Sequence, residues 1–301
     1  MWGSVMINMI LIILEQIMMH IPLMIGAYIS LSLLQVPDLS IETAYVTGAV
    51  IASQLLSIAQ PLPIALLLCI AIVASFAGGA LVGAVSSLLT QKGLLPHLLS
   101  SIVTFGLFHG INQLISPVYV SLSSLHNPLM IADLIDQHGE LIVLLLIGAV
   151  IIMISYYLFN TQLGHAFVVY GDNPLFFSNY GISTSSVFIT GVMIANGLAG
   201  ISGYLFAQSN NFLELNMGLG KALFCITSLI IGKMVARTKK PYSIMIPLIG
   251  VSIYFLLQQL LLKIGFNLKY FTAMQAVILM CMLIYAYRNK SQHSLHDNLG
   301  I

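Results

Sequence analysis

The chain has 301 residues, 59% of them apolar and 6% charged, with 10 Lys+Arg against 9 Asp+Glu and a formal net charge of +1. With a mean hydropathy of +1.01, it has too little charge to cover the surface of a soluble globule of this length. No basic patch offers a footing for nucleic acid.

In chain order, the N-terminal run MWGSVMINMILIILEQIMMH has no basic region ahead of its apolar part and continues apolar through Leu34. It reads as a retained first helix rather than a signal peptide. Residues 43–91, 93–132, 141–171 and 173–213 carry no Asp, Glu, Lys or Arg. A bilayer-spanning helix needs about 20 mostly apolar residues, so each stretch holds one or two. The segments lack the alternation of barrel strands, which leaves helices as the spanning element. Spans are predicted near 8–34, 62–90, 95–116, 140–159, 184–208, 221–236, 242–262 and 270–287. Residues 44–59 form a further apolar segment, short enough either to span or to re-enter. The expected fold is an all-α, polytopic membrane helical bundle of about eight to ten helices, with residues 1–290 as the membrane domain and 291–301 as a cytoplasmic tail.

Alternating sides along these spans puts Lys92, Lys233, Arg237, Lys239, Lys240, Arg288 and Lys290 at one face and Lys221, Lys263 and Lys269 at the other. The excess of positive charge marks the first face as cytoplasmic. Residues 160–183 then lie in the cytoplasm, and 117–139 and 209–220 lie outside. Small residues recur at Ser75, Gly79, Gly83 and Ser87, and again at Gly197, Gly200 and Gly203. Such stripes let helix backbones approach closely, inside one bundle or between subunits. VPDLSIETAYVTGAVIAS (36–53) and FLELNMGLGKALFCITSL (212–229) share an acidic-Leu-polar opening before a short apolar segment. Repeats with broken helices occur in transporters. Cys69, Cys225 and Cys281 stand singly in apolar runs and read as buried free thiols.

The chain has no phosphate-binding GxxxxGK[ST] loop, no Gly-x-Ser-x-Gly elbow and no HExxH pair. It has no means of hydrolysing ATP alone, and no cofactor or metal site is visible. Glu15 and His20 are ionisable groups within the first apolar run and are functional candidates for that reason. Five positions apart, they lie about 140° apart around a helix and do not pair directly. A Glu near the membrane interface and a hydrogen-bonded core His is the plainer reading. His109, Asn112, Gln113 and Ser116 share one helix face. They face either neighbouring helices or a watery path. Asn196 and Gln208 are similar candidates.

Three segments carry a resemblance. They are LEQIMMHIPLMIGAYISLSLLQVPDLSIETAYVTGAVIAS (14–53), GDNPLFFSNYGIS (171–183) and ANGLAGISGYLFAQSNNFLELNMGLGKALFCITSLIIGK (195–233). In this order they resemble the permease subunit of bacterial ABC importers of the branched-chain amino acid and ribose permease family, nearest its tryptophan- or tyrosine-type branch. Two positions depart from that pattern. Lys233 stands where many relatives have an acidic residue, and Thr43 where many have glycine. The resemblance implies a non-catalytic subunit of the bacterial inner membrane that works with a cytosolic ABC ATPase, an extracytoplasmic solute-binding protein and a second permease subunit. It implies a path for a small solute, a branched-chain or aromatic amino acid or similar, for which the polar side chains His109, Asn112, Gln113, Asn196 and Gln208 singled out above are the candidates. It also implies a cytoplasmic grip for the ATPase in 171–183, made of Asn173, Pro174, Phe176, Phe177, Tyr180 and Gly181. Asn173-Pro174 start a short helix, an apolar face of Leu175, Phe176, Phe177 and Tyr180 follows, and Gly181 ends it. The competing expectation is an ion-coupled secondary transporter using Glu15 or His20.

Overall fold

A computed structural model describes residues 2–58, 63–122, 127–129, 131, 139–179, 181, 183–236, 243–265, 267, 270, 273–280 and 284. The tail 291–301, Tyr180 and Cys281 lie outside these. The chain forms two units, Met1–Leu256 and Leu257–Ile301.

The first unit begins with α1 (Trp2–Tyr28), which carries Pro22 and passes into a π-helical turn at Ile29–Leu33. An extended break follows, and α2 (Ser40–Ile58) starts after it. Pro63 and Pro96 stand directly before α3 (Ile64–Gly93) and α4 (His97–Ile115), where a missing N–H costs the helix nothing. After a short strand β1 (Tyr119–Ser121) come α5 (Gly139–Phe159), α6 (Gln162–Asp172) and the five-residue α7 (Leu175–Asn179). The long α8 (Thr184–Ser209) is capped by Ser183, whose hydroxyl accepts from the Ser186 N–H at 3.3 Å. Strand β2 (Phe212–Glu214), α9 (Lys221–Ala236) and α10 (Met245–Lys263) complete the order. In the second unit residues 273–280 are helical.

Among the described residues seven helices are long and apolar enough to cross a membrane. One of them is Ser40–Ile58, so the segment that reads as short from sequence is a helix of 19 residues. The predicted span 221–236 is a helix of only 16 residues. The fold class is the expected all-α polytopic bundle.

The core of the first unit is built on α8, the most buried of the spans. Gly26 of α1 meets Ala195, and Ser202 donates to the Met19 carbonyl at 2.7 Å, so α1 and α8 run antiparallel. Gly79 and Gly83 of α3 meet Asn196 and Val192, and Gly200 meets Ser75 and Gly79. Gly48 of α2 lies against Gly200 from another side. A Cβ on Gly200 or Gly203 would run into the carbonyl of Ser75 or Tyr45. The glycine stripes therefore serve packing within one chain, where close approach maximises dispersion contact. Cys225 is buried, but Cys69 is exposed on the outer side of α3, a correction to the expectation that it is buried. An apolar run alone therefore does not imply an interior position.

The two ends of the unit differ. β1 and β2 pair antiparallel, Val120 opposite Leu213, and cover a cluster that includes Val46, Val50, Leu122 and Ala207. At the other end Gln91 accepts from the Ser185 hydroxyl at 2.8 Å, and Gln35 donates to Asp172 at 3.1 Å. This second end carries α6, α7 and Lys92.

Candidate functional site

The break between the first span and α2 enters the bundle rather than running over its surface. Gln35, with a left-handed φ of +56°, bonds Asp172 at the short-helix end. Five residues later the Ser40 hydroxyl is 3.2 Å from Oδ1 of Asn196, halfway along α8. So α2 begins inside the unit. A helix start leaves unsatisfied N–H groups that need acceptors. Asp38 supplies one, taking the Ser40 N–H at 2.9 Å and the Ser40 hydroxyl at 2.5 Å on Oδ1. Its Oδ2 accepts from Asn196 Nδ2 at 2.8 Å. Asn196 Nδ2 also reaches the Val192 carbonyl at 3.0 Å.

His97, the first residue of α4, brings Nε2 to 3.7 Å from Asp38 Oδ1, an ion pair when the ring is protonated. Its Nδ1 is 2.9 Å from the Thr90 hydroxyl. Asp38 and His97 are both buried. Burial pushes the Asp38 carboxyl up, but the neighbouring His97 ring and the bonds from Ser40 and Asn196 outweigh it and hold Asp38 below the usual range.

The expected path residues fall into two sets. Asn112, Asn196 and Gln208 are buried and turned into the unit. Asn112 Nδ2 donates to Thr47 of α2 at 3.0 Å, and the Gln208 carbonyl accepts from Asn127 at 2.6 Å. The Asn112 Oδ1 and both side-chain polar atoms of Gln208 have no partner among the described residues. His109 and Gln113 instead pair with each other at 3.1 Å on the outer side of α4. Gly106 and Gly110 share that side, and a Cβ on either would meet nothing. At the β-ladder end a cavity of about 270 Å³ is lined by Ser53, Gln54, Ser57, Ser116, Ser121 and Leu213 among others. Helices that end at polar side chains, a helix that starts within the bundle and a hydroxyl-lined cavity suit passage of a small polar solute. No group of three metal-ligating side chains occurs among the described residues.

Sequence reasoning missed Asp38, Ser40, His97 and Thr47 as members of this network. A signal was there for the first two: an Asp two residues before a Ser, after Pro37, is a helix-start pattern. His97 carries no such local mark.

At the short-helix end Asn173 caps α7, its Oδ1 accepting from the Leu175 N–H at 3.1 Å. Gly181 has a left-handed φ of +69°. Leu175 and Phe176 are exposed, 73% and 42%, whereas Phe177 is 4% exposed and turned into the protein. The two rings meet edge to face at 5.8 Å. The apolar side of this helix is therefore divided between inward and outward residues.

Residues 9–284 match the family described as branched-chain amino acid transport system, permease component. The chain belongs to that family. This permease is 32% identical, over 69% of its length and 67% of the relative's, to a tyrosine transport system permease protein of Clostridioides difficile. It is 29% identical over 86% of its length and 91% of the relative's to an uncharacterized protein of Rickettsia prowazekii. It is 25% identical over 65% of its length and 56% of the relative's to an autoinducer 2 import system permease protein of Escherichia coli. No solved structure matches. The permease is thus a multi-pass membrane component of a transport system for small solutes, in keeping with the resemblance carried by 14–53, 171–183 and 195–233.

Proposed function

We propose that this permease is the membrane subunit of an ATP-driven importer in a bacterial inner membrane, carrying an aromatic or branched-chain amino acid or a similar solute. The likeness to a tyrosine transport system permease protein over two thirds of both chains carries the amino-acid reading. The energy comes from a separate cytosolic ABC ATPase, since the sequence has no phosphate-binding loop. A solute-binding protein delivers the solute from outside, and a second permease subunit completes the path.

Within the path, Asn112, Asn196 and Gln208 form the polar inner wall, and His109 and Gln113 present polar groups on the outer side of α4. The ATPase grips residues 171–183. Leu175 and Phe176 offer exposed apolar surface at the end that carries Lys92, the end assigned to the cytoplasm by its positive charge. Asn173, Pro174 and Gly181 shape the turn, Phe177 anchors it to the permease, and Tyr180, outside the described residues, belongs to the same proposed grip.

Co-expression with its ATPase tests this reading. A detergent-stable complex that hydrolyses ATP, with no hydrolysis by the permease alone, is the expected result. ATP hydrolysis by the purified single chain would overturn it.

A further inference from the structure

Lys221, the first residue of α9, points into the unit rather than away from it. Its Nζ is 3.0 Å from Nε2 of His20 on α1. It also lies 5.0 Å from the ring centre of Tyr45 and 4.7 Å from that of Phe206. A cation against two ring faces is held by their negative quadrupoles and has given up part of its hydration. Nδ1 of His20 is 2.9 Å from the Gln16 carbonyl. A carbonyl only accepts and an ammonium only donates, so the ring carries its proton on Nδ1 and offers Nε2 as acceptor. His20 is itself packed against Phe206, Phe224 and Phe255, at centroid distances of 5.8, 5.5 and 5.0 Å.

The charge of Lys221 is not matched. Among the described residues no carboxylate lies within ion-pairing distance of it. Glu42 is near in the fold but is committed elsewhere, its Oε1 accepting the Gly220 and Ala222 N–H groups at 3.0 and 3.1 Å. A second polar group in the cluster is also unpartnered. Tyr45 is fully buried, and its hydroxyl has no hydrogen-bond partner among the described residues. A buried hydroxyl without a partner costs about 1–3 kcal/mol, and a partly buried cation without an anion costs more. A ligand that brings an anionic oxygen meets both needs, and the rings provide an apolar wall beside it. Lys221 is mostly buried but keeps some solvent exposure.

We propose that Lys221, seated between Tyr45 and Phe206 and oriented by His20, binds the carboxylate of the solute, with the surrounding rings receiving an apolar or aromatic body. This deepens the importer reading and rests on it for the word solute. Binding of a carboxylate at Lys221 is testable without it.

The test is protection of Lys221 from a water-soluble acylating reagent in the wild-type permease reconstituted in lipid nanodiscs, read by mass spectrometry of the peptide. The probes are L-tyrosine and benzoate, with L-tyrosinamide and benzamide as partners lacking the carboxylate, at constant chloride. Protection of about tenfold by the carboxylates and none by the amides is expected, with other lysines unaffected. Equal protection by acids and amides, or no protection by any probe, overturns the proposal whatever transport shows. In proteoliposomes with the ATPase and binding protein, Lys221→Met should lower tyrosine uptake about tenfold or more while ATPase binding persists, and Lys221→Arg should restore most of it. Unchanged uptake in Lys221→Met removes the site from the path. Absence of ATP-driven uptake in the wild type overturns the importer reading instead and leaves the protection result standing.

Discussion

The side-chain amide of Asn196 donates to Oδ2 of Asp38 over 2.8 Å, and this bond ties the midpoint of α8 to the break that starts α2. Both residues are buried. One carboxylate therefore caps a helix inside the bundle and fixes where that helix meets the most buried span of the permease.

Asn196→Leu leaves the Asp38 carboxylate without one of its donors. Loss of a partner to a buried charged group costs roughly 2–3 kcal/mol. The variant should melt at a clearly lower temperature in detergent, and Asp38→Asn in the same background should recover part of the loss. If Asn196→Leu melts as the wild type does, the bond does not hold α2 in place.

The pH dependence follows from the lowered Asp38 carboxyl. A carboxyl with a lower pKa folded than unfolded stabilises the fold above its unfolded value, about 3.9, and loses that contribution as pH falls through the folded value. Stability should hold level from pH 7 to 5 as far as Asp38 is concerned and fall below about pH 4. The difference in melting temperature between wild type and Asp38→Asn should shrink across that low-pH window. A difference that stays constant down to pH 3 would contradict the assignment.

Gly200 has Ser75 and Gly79 on one side and Gly48 on the other. Gly200→Val has no space for its side chain, and overpacking of this kind costs about 1–3 kcal/mol or more. Reduced yield and early melting are expected. Gly110→Ala, on a side where a Cβ meets nothing in the chain, should melt as the wild type does. Comparable yields and melting for both variants would refute the packing account.

The short helix α7 separates two effects that the sequence merges. Phe177→Ala empties a buried site and should destabilise the permease by about 3 kcal/mol. Phe176→Ser, at a largely exposed ring, should lower melting far less than Phe177→Ala while weakening ATPase pull-down about tenfold or more. Pull-down at wild-type strength with Phe176→Ser would show that 171–183 is not the grip.

The spans were legible because apolar length alone reports a membrane helix. The glycine stripes were legible too, since only small residues allow such close packing, and here the contacts are internal to the chain. The start of α2 within the bundle was not legible as a place. Asp38-Leu39-Ser40 signals a helix start, but its depth depends on Asn196, 158 positions away in sequence. His97 and Lys221 were hidden for the same reason: their partners, Asp38 and His20, come from distant helices. The sense of Phe176 and Phe177 was hidden because adjacent helical residues differ by about 100° in direction, and only packing decides which turns inward.

The central claim is that a separate ATPase drives transport through this permease, and the most direct measurement is uptake of labelled L-tyrosine into proteoliposomes holding the permease, its ATPase and its binding protein. The account predicts accumulation that requires ATP on the ATPase side, survives collapse of the proton gradient and persists in Glu15→Gln. Accumulation that ignores ATP, follows the proton gradient and disappears in Glu15→Gln would contradict it and make the protein an ion-coupled carrier.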